Sequence, residues 1–214
     1  MEIIPGILEK DWSEIQRKIE QVLPFVKTIH IDLIDGKFAP NTTFSDPLPF
    51  LKYTHSASSG QAPEFELHMM VEEPINFLKP WAEVGFRRFL GHTEKMSDQI
   101  EFVAQGQLLG EVGLALDVKT PLSVVKIPFE DLDSILLMSV AAGFSGQQFE
   151  SSALEKIKEV ASKTFIPIEV DGGINDSNIA EIKNAKASSC AVTSFIFSGN
   201  PNEQYKKLTE VIEG

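Results

Sequence analysis

The sequence predicts a single (β/α)8 barrel over residues 1–214, because strand-like and helix-like segments alternate along the chain. Eight short apolar runs with strand character are separated by amphipathic segments of helical period, and no Pro-, Gly- or Ser-rich linker divides them. Spread over eight units, 214 residues give about 27 residues per unit, near the lower size limit of such barrels. A doubly wound open sheet is the alternative architecture.

The individual elements follow from these apolar patterns. Helix starts are supported by Asp11 with Glu14, by Ser97 with Gln99, and by Pro201 before Asn202. The predicted strands cover residues 2–8, 28–33, 64–69, 88–92, 113–117, 134–140, 167–170 and 191–197. The predicted helices cover residues 11–23, 47–53, 75–84, 97–105, 122–126, 152–163, 177–184 and 202–212.

Composition excludes several classes of partner. The chain carries 19 Lys and Arg against 31 Asp and Glu, so its net charge of -12 is a poor match to nucleic acid or to anionic lipid. No apolar run reaches the roughly 18 residues that a membrane span needs. The first residues lack a basic start followed by an apolar core. We therefore expect a cytoplasmic protein that binds neither nucleic acid nor a membrane.

The second predicted strand carries polar side chains at its end. Because side chains alternate along a strand, His30 and Asp32 lie on one face and Ile31 and Leu33 on the other. Gly36 then permits a sharp exit into the loop that follows. Taken alone, this pattern fits a polar strand end as well as a functional site.

Polar residues at other strand ends favour a functional site. His68 closes the third predicted strand, and Asp171 closes the seventh. In a (β/α)8 barrel the carboxyl ends of the strands meet at one face, where active sites are built. Two imidazoles and two carboxylates suit a borderline divalent ion, with zinc the first choice and iron or manganese also compatible.

Two glycine-rich turns indicate a phosphate site. Gly143-Phe144-Ser145-Gly146 follows the sixth strand, and Gly172-Gly173 follows Asp171. Such loops expose backbone N–H groups that hold phosphate without Lys or Arg, and barrels commonly bind phosphate near their last two strands. Because a chain of net charge -12 repels an anion at long range, local contacts of this kind would have to hold a dianionic substrate.

Five motifs, in order along most of the chain, resemble those of the ribulose-phosphate 3-epimerase family. They are HIDLIDGKFAPNTTF, ELHMMVEEP, HTE at residues 92–94, LLMSVAAGFSGQQF and IEVDGGI. The resemblance implies a (β/α)8 catalytic domain that interconverts D-ribulose 5-phosphate and D-xylulose 5-phosphate in the pentose phosphate pathway. It also implies a homo-oligomer with one divalent ion per subunit, zinc first, with iron, manganese or cobalt as alternatives.

The same resemblance implies a role for each matching residue. His30, Asp32, His68 and Asp171 match the family's metal ligands, and Asp32 and Asp171 match its two proton-transfer groups. The residues implied to contact the sugar phosphate are Gly6, His68, Met70, Met138, Gly143, Phe144, Ser145, Gly146, Gly172, Gly173, Thr193 and Ser194.

The chemistry of epimerisation fits these residue types. Inverting a carbon beside a carbonyl requires that a proton leave one face and another arrive on the opposite face, so two separate carboxylates are needed. The intermediate is an enediolate, whose negative charge a bound cation offsets. Methionines beside the reacting carbon keep water away from it.

The chain departs from the family's pattern at several positions. Gly6 replaces a serine after the first-strand proline, Ile34 replaces a methionine, and Ala141-Ala142 replaces an acidic residue and a proline. Thr193 replaces the glycine of a Gly-Ser phosphate contact, and threonine would be strained there if the position required positive φ. Two alternatives therefore stand beside the pentulose epimerase. One is an epimerase of another ketose phosphate, such as a ketohexose 6-phosphate, and the other is a non-catalytic descendant that binds metal and a metabolite.

Overall fold

The computed structural model describes residues 1–54 and 63–214, and its eight parallel strands close into a barrel in chain order. This confirms the predicted (β/α)8 architecture and excludes the open sheet, because the last strand pairs with the first. The strands are β1 (Glu2–Ile7), β2 (Thr28–Ile34), β3 (Glu64–Met70), β4 (Arg88–His92), β5 (Glu111–Leu116), β6 (Ser134–Met138), β7 (Ile168–Asp171) and β8 (Ser189–Val192).

Helices or short helical turns connect the strands around the outside of the barrel. The α-helices of the described residues are α1 (Trp12–Val22), α2 (Leu51–Thr54), α3 (Ile75–Glu83), α4 (Gln99–Gln107), α5 (Ser152–Lys163), α6 (Ile179–Asn184) and α7 (Pro201–Glu213). Single 3-10 turns occur at Leu48–Phe50, Thr93–Lys95, Leu122–Val124, Phe129–Asp131 and Ile196–Ser198. None of these helices, within the two described ranges, combines the length and apolar character that crossing a membrane requires.

Several predicted elements differ in their bounds from the structure, and three of the differences have a clear local cause. Strand β8 ends at Val192 rather than at residue 197, because the next residues turn into the 3-10 turn Ile196–Ser198. The helix predicted for residues 122–126 is a single 3-10 turn, bracketed by Pro121 and Pro128. Helix α4 begins after Asp98 rather than at Ser97, since the Asp98 carboxylate accepts the backbone N–H of Glu101 at 3.0 Å.

Alternation along the strands sorts the polar residues to the barrel interior. In β2, Ile29, Ile31 and Leu33 pack in the hydrophobic layer beneath the helices, so His30 and Asp32 point inward. Strands β3 and β7 repeat this arrangement with inward Glu66, His68, Glu169 and Asp171. The register places Asp32 beside His68 and His30 beside Glu66. Adjacent strands thus bring acids and imidazoles together inside the barrel.

The hydrophobic layer between barrel and helices holds these strands in place. One aromatic cluster within it joins Phe50, Trp81 and Phe86, with ring centroids 4.8–5.4 Å apart. All three side chains are fully buried. Burying a large aromatic side chain stabilises a fold by about 2–3 kcal/mol, so this layer supplies much of the rigidity on which the site rests.

Candidate active site

Four buried side chains converge at the carboxyl ends of β2, β3 and β7. His30, Asp32, His68 and Asp171 each offer a ligand atom, and the four atoms lie within 4.8 Å of one another. The Asp32 Oδ1 atom is central, lying 2.8 Å from His68 Nδ1 and 3.2 Å from His30 Nε2. Asp171 Oδ2 lies 3.5 Å from His68 Nδ1. We refer to these four residues as the ligand cluster.

A buried carboxylate fixes the orientation of His30. The Nδ1 atom of His30 lies 2.7 Å from Glu66 Oε1, and the other oxygen of Glu66 accepts a hydrogen bond from Arg88 at 2.8 Å. Glu169 Oε1 lies 3.2 Å from the same Nδ1 atom but has no hydrogen-bond partner within the described residues. Because Nδ1 of His30 is hydrogen-bonded to Glu66, Nε2 is the ring nitrogen that faces the ligand cluster and would bind a cation once it has lost its proton.

A second chain of buried groups fixes His68. Its Nε2 atom lies 2.9 Å from Nε2 of His92, whose Nδ1 lies 2.8 Å from Glu94 Oε2. The second oxygen of Glu94 accepts the backbone N–H of Asp117 at 2.7 Å. Because Nε2 of His68 is hydrogen-bonded to His92, Nδ1 is the ring nitrogen that faces Asp32 and Asp171 and can act as a ligand.

The two chains produce strong electrostatic effects. Burial raises the pKa of Glu66, but its hydrogen bond with His30 and that imidazole's charge outweigh burial and hold the pKa at about 2. Burial and the charge of Glu66 together raise the pKa of neighbouring Glu169 to about 7. Burial and the neighbouring His68 lower the pKa of His92 despite its hydrogen bond to Glu94. Glu66 is therefore the ionised partner of His30, and His92 is favoured as a neutral imidazole.

The donor set of the ligand cluster fits a divalent ion. Two imidazole nitrogens and two carboxylates, fully or nearly fully buried, match the ligands that zinc, iron and manganese accept. Both imidazoles carry the buried hydrogen-bond partners that metal-ligating histidines usually have. The residues therefore fit the metal site that the sequence predicts, and the donor set does not select one metal among these.

A cavity opens above the ligand cluster. Asp32 and Asp171 form part of its floor, and the apolar side chains of Met70 and Met138 lie beside them. The other predicted contact residues in its lining are Gly143, Phe144, Ser145, Gly146, Gly172, Gly173, Thr193 and Ser194. Gly146, Gly173 and Ser194 also line an adjoining groove, so the cavity continues outward at that end.

Glycine conformation shapes the loops around the cavity. Gly172 has φ 114°, and a Cβ there would lie 2.4 Å from the Val140 side chain. Gly173 has φ 63°, and a Cβ would lie 2.5 Å from the backbone nitrogen of Phe149. The loop that begins after β6 is tied to the β2 side of the cavity, because the Asn41 amide donates to the Gly143 carbonyl at 2.8 Å. These turns require glycine for both conformation and space.

Two predicted contact residues lie outside the cavity lining. His68 is fully buried in the ligand cluster, and Gly6 is covered by Thr193.

The hydrogen-bond partners of the two imidazoles were not predicted from the sequence. Glu66 and Glu169 lie two residues before His68 and Asp171, so strand alternation could have placed them on the inner face. His92 and Glu94 stood in the HTE motif without an assigned role.

Comparison with known proteins shows where this chain belongs. The sequence model of the ribulose-phosphate 3 epimerase family matches residues 2–197. The ribulose-phosphate 3-epimerase of Bacillus subtilis is 30% identical over 221 residues, covering 99% of this chain and 98% of that protein. The enzyme of the same name from Aquifex aeolicus is also 30% identical, covering 98% of this chain and 96% of that protein.

Solved structures agree on the fold. The 3-keto-L-gulonate-6-phosphate decarboxylase from Vibrio cholerae superposes with a TM-score of 0.74 at 12% identity, covering 100% of this chain and 97% of that one. At that identity the similarity supports the barrel fold alone. The match over residues 2–197 and the full-length relatives decide the family. The chain belongs to the ribulose-phosphate 3-epimerase family, a family of isomerases.

Proposed function

We propose that this protein epimerises D-ribulose 5-phosphate at carbon 3 to give D-xylulose 5-phosphate. The observation that carries the proposal is the placement of two buried carboxylates, Asp32 and Asp171, in the floor of one cavity. They come from β2 and β7, strands that β1 and β8 separate in the barrel. Two acid groups that reach one substrate from different strands are what inversion of a carbon centre requires.

The proposed proton transfers use the two carboxylates in turn. One aspartate takes the proton from carbon 3, and the bonding electrons move into the adjacent carbonyl to give an enediolate. The other aspartate delivers a different proton to the opposite face of carbon 3, and the carbonyl re-forms. Asp32 is the proposed base and Asp171 the proposed acid, since both carboxylates line the cavity and Asp32 is held between the two imidazoles.

His30, Asp32, His68 and Asp171 would hold one divalent ion, with zinc the first candidate. A bound ion would supply Lewis-acid stabilisation of the negative charge that develops on the substrate oxygens. Glu66 and His92 keep the two imidazoles in the tautomers that such binding needs. Met70 and Met138 exclude water from the reacting carbon, which protects the enediolate from unwanted protonation.

The outer end of the cavity is the proposed phosphate site. Gly146, Gly173 and Ser194 lie where the cavity meets the groove, so a dianionic group there keeps contact with solvent. The glycine turns let the backbone approach a ligand closely. This arrangement supports a ketose phosphate whose sugar chain points down toward Asp32 and Asp171.

The direct test is turnover by purified protein loaded in turn with zinc, iron(II), manganese or cobalt. We expect D-ribulose 5-phosphate to yield D-xylulose 5-phosphate, detected by NMR, with at least one of these metals. A kcat/KM that is larger for ketohexose 6-phosphates than for D-ribulose 5-phosphate would show that the protein is an epimerase of the alternative substrate. Folded, metal-loaded protein inactive on both sugars would support the non-catalytic alternative.

The proposed cellular role follows from the substrate. Interconversion of these two pentulose phosphates belongs to the pentose phosphate pathway of carbohydrate metabolism. A cytoplasmic location is supported by a rice relative, 28% identical over 99% of this chain, whose name specifies a cytoplasmic isoform.

A further inference from the structure

Gly6 and Thr193 fit together at the seam where the barrel closes. A Cβ atom added to Gly6 would lie 2.3 Å from the Thr193 hydroxyl oxygen and 3.5 Å from the Thr193 Cβ. Nonbonded atoms do not approach as closely as 2.3 Å, so a side chain at position 6 and the present position of this hydroxyl exclude each other. The Thr193 hydroxyl therefore occupies the space into which a side chain on β1 would project.

This shared space lies at the level of the ligand cluster. Ile3 and Ile7 pack in the outer hydrophobic layer, so alternation directs position 6 toward the barrel interior. The register pairs Gly6 with His30 of the ligand cluster. On the other side of the seam, Thr193 follows the buried strand β8 and lines the cavity together with Asp32 and Asp171. Thr193 thus lines the same cavity as the two proton-transfer groups and directly precedes Ser194 of the proposed phosphate end.

The Thr193 side chain, rather than its backbone, distinguishes this position. Among the described non-glycine residues, positive φ occurs at Glu73 and Lys186 and not at Thr193, so threonine is not strained there. No hydrogen bond within the described ranges involves the Thr193 hydroxyl, whereas its carbonyl accepts the N–H of Phe197 at 3.4 Å. Thr193 is partly exposed and lines the cavity, so a hydroxyl there without a protein partner is available to a ligand.

We propose that Thr193 is a specificity-determining residue whose hydroxyl hydrogen-bonds an oxygen of the sugar chain beside the reacting carbon. Gly6 is glycine because any larger residue would displace that hydroxyl. This inference rests on the proposed function, since it takes the ligand to be a ketose phosphate. The proposed hydrogen bond to the substrate thus comes from Thr193, after β8. A hydroxyl side chain at position 6 on β1 could reach the substrate from the same space.

Four variants test the hydroxyl contact through turnover of D-ribulose 5-phosphate. T193V keeps the branched shape and removes the hydroxyl, so we expect kcat/KM to fall about 10-fold, mainly through KM. T193S keeps the hydroxyl and should exceed T193V at least threefold. T193G should lose as much as T193V. G6S/T193G returns a hydroxyl to the same space from β1 and should recover most of that loss.

Binding provides a readout that does not depend on turnover. In the D171N background, calorimetric titration with D-ribulose 5-phosphate should show T193V weakening binding about 10-fold. Equal affinities and equal KM values for T193V and the parent would overturn the inference. An active wild-type protein with that result would leave the proposed function standing. An inactive wild-type protein whose binding still depends on the hydroxyl would overturn the function and support the inference. Absence of both turnover and binding would overturn both.

Thermal unfolding tests whether a side chain introduced at position 6 and the Thr193 side chain compete for the same space. G6S alone should lower Tm by about 3 °C, because one of the two side chains must move. G6S/T193G should regain most of that shift, since the glycine at 193 vacates the space. Additive shifts in the double variant would show that positions 6 and 193 do not share this space, and would overturn the inference.

Discussion

The two halves of the site are built in different ways. On the β2–β3 side, His30 and His68 are fully buried, and each ring is hydrogen-bonded to a further buried side chain, Glu66 or His92. On the β7–β8 side the strands have only four residues each, and they lead into turns that contain Gly172, Gly173 and Ser194. Side chains fix the first half, and backbone conformation fixes the second.

This difference separates the tasks of the two halves. Buried side chains with few rotamers suit the precise orientation of metal ligands, which need a defined tautomer and direction. Turns with exposed backbone suit the binding of a charged and hydrated group such as phosphate. Substitutions in the β2–β3 half should therefore act on cation binding, and substitutions in the β7–β8 half should act on the substrate and on local stability.

The largest effect is expected at the residue that joins the two halves. D171N keeps an oxygen for a metal ligand but removes the group that carries a proton, so kcat should fall about 1,000-fold or more. D176N, in the loop that follows β7, removes only the negative charge of an ion pair with Lys207 and should leave kcat within about twofold. NMR rates and metal content of both variants check this. A D171N protein that epimerises at the wild-type rate would remove Asp171 from the mechanism.

Cation binding should depend on Glu66 and not on Glu111, the other carboxylate that pairs with Arg88. E66Q weakens the support of His30 Nδ1 and removes the charge that faces Arg88, so the metal dissociation constant should rise about 10-fold. Glu111 binds the same arginine at 2.7 Å, but its side chain is 57% exposed, so E111Q is the matched control and should change little. Competition with a chelator measures both constants. Equal effects of the two substitutions would contradict the assigned role of Glu66.

Backbone control of the second half is testable at two glycines. In G173A the new Cβ would meet backbone atoms of Phe149 and Gln147 at 2.5 and 2.8 Å, so the free energy of unfolding should fall by about 3 kcal/mol. Gly146 has φ 80° with nothing within 4 Å of the added Cβ, so G146A should lose only about 1 kcal/mol. Denaturant titration measures both losses. Similar losses would show that space around Gly173 is not limiting.

The smallest effect is expected away from the cavity, in the turn between α6 and β8. Lys186 has φ 83°, a conformation that favours glycine, so K186G should raise the free energy of unfolding by about 0.5–1 kcal/mol. Glu73 has φ 52°, but its carboxylate accepts a hydrogen bond from Ser97 Oγ at 2.9 Å. E73G should therefore gain less or lose stability. A destabilised K186G protein would contradict the inferred strain.

The sequence predicted the ligand cluster because that prediction needs only alternation within single strands and the rule that strand ends meet at one face. His30, Asp32, His68 and Asp171 were all found in this way. The hydrogen-bond partners that orient the imidazoles were not predicted, because the pairing of His30 with Glu66 depends on the register between β2 and β3. Register arises from the packing of the whole barrel and has no signal within one strand.

The seam between β8 and β1 was the least predictable part of the site. Residues 193–197 look like a continuing apolar strand, and only the closed structure shows that they turn away after Val192. The contact between Gly6 and Thr193 joins residues from opposite ends of the chain. Viewed singly, each of these positions is a departure from the family's pattern, and in the structure the two departures occupy one space.

The transfer of two different protons at carbon 3 can be followed through one turnover in deuterated water. The two-carboxylate account predicts that every D-xylulose 5-phosphate molecule formed in the first turnover carries deuterium at carbon 3, because the group that delivers the proton is not the one that removed it. Product that retains the original protium would contradict the account, since a single residue would then take and return the same proton.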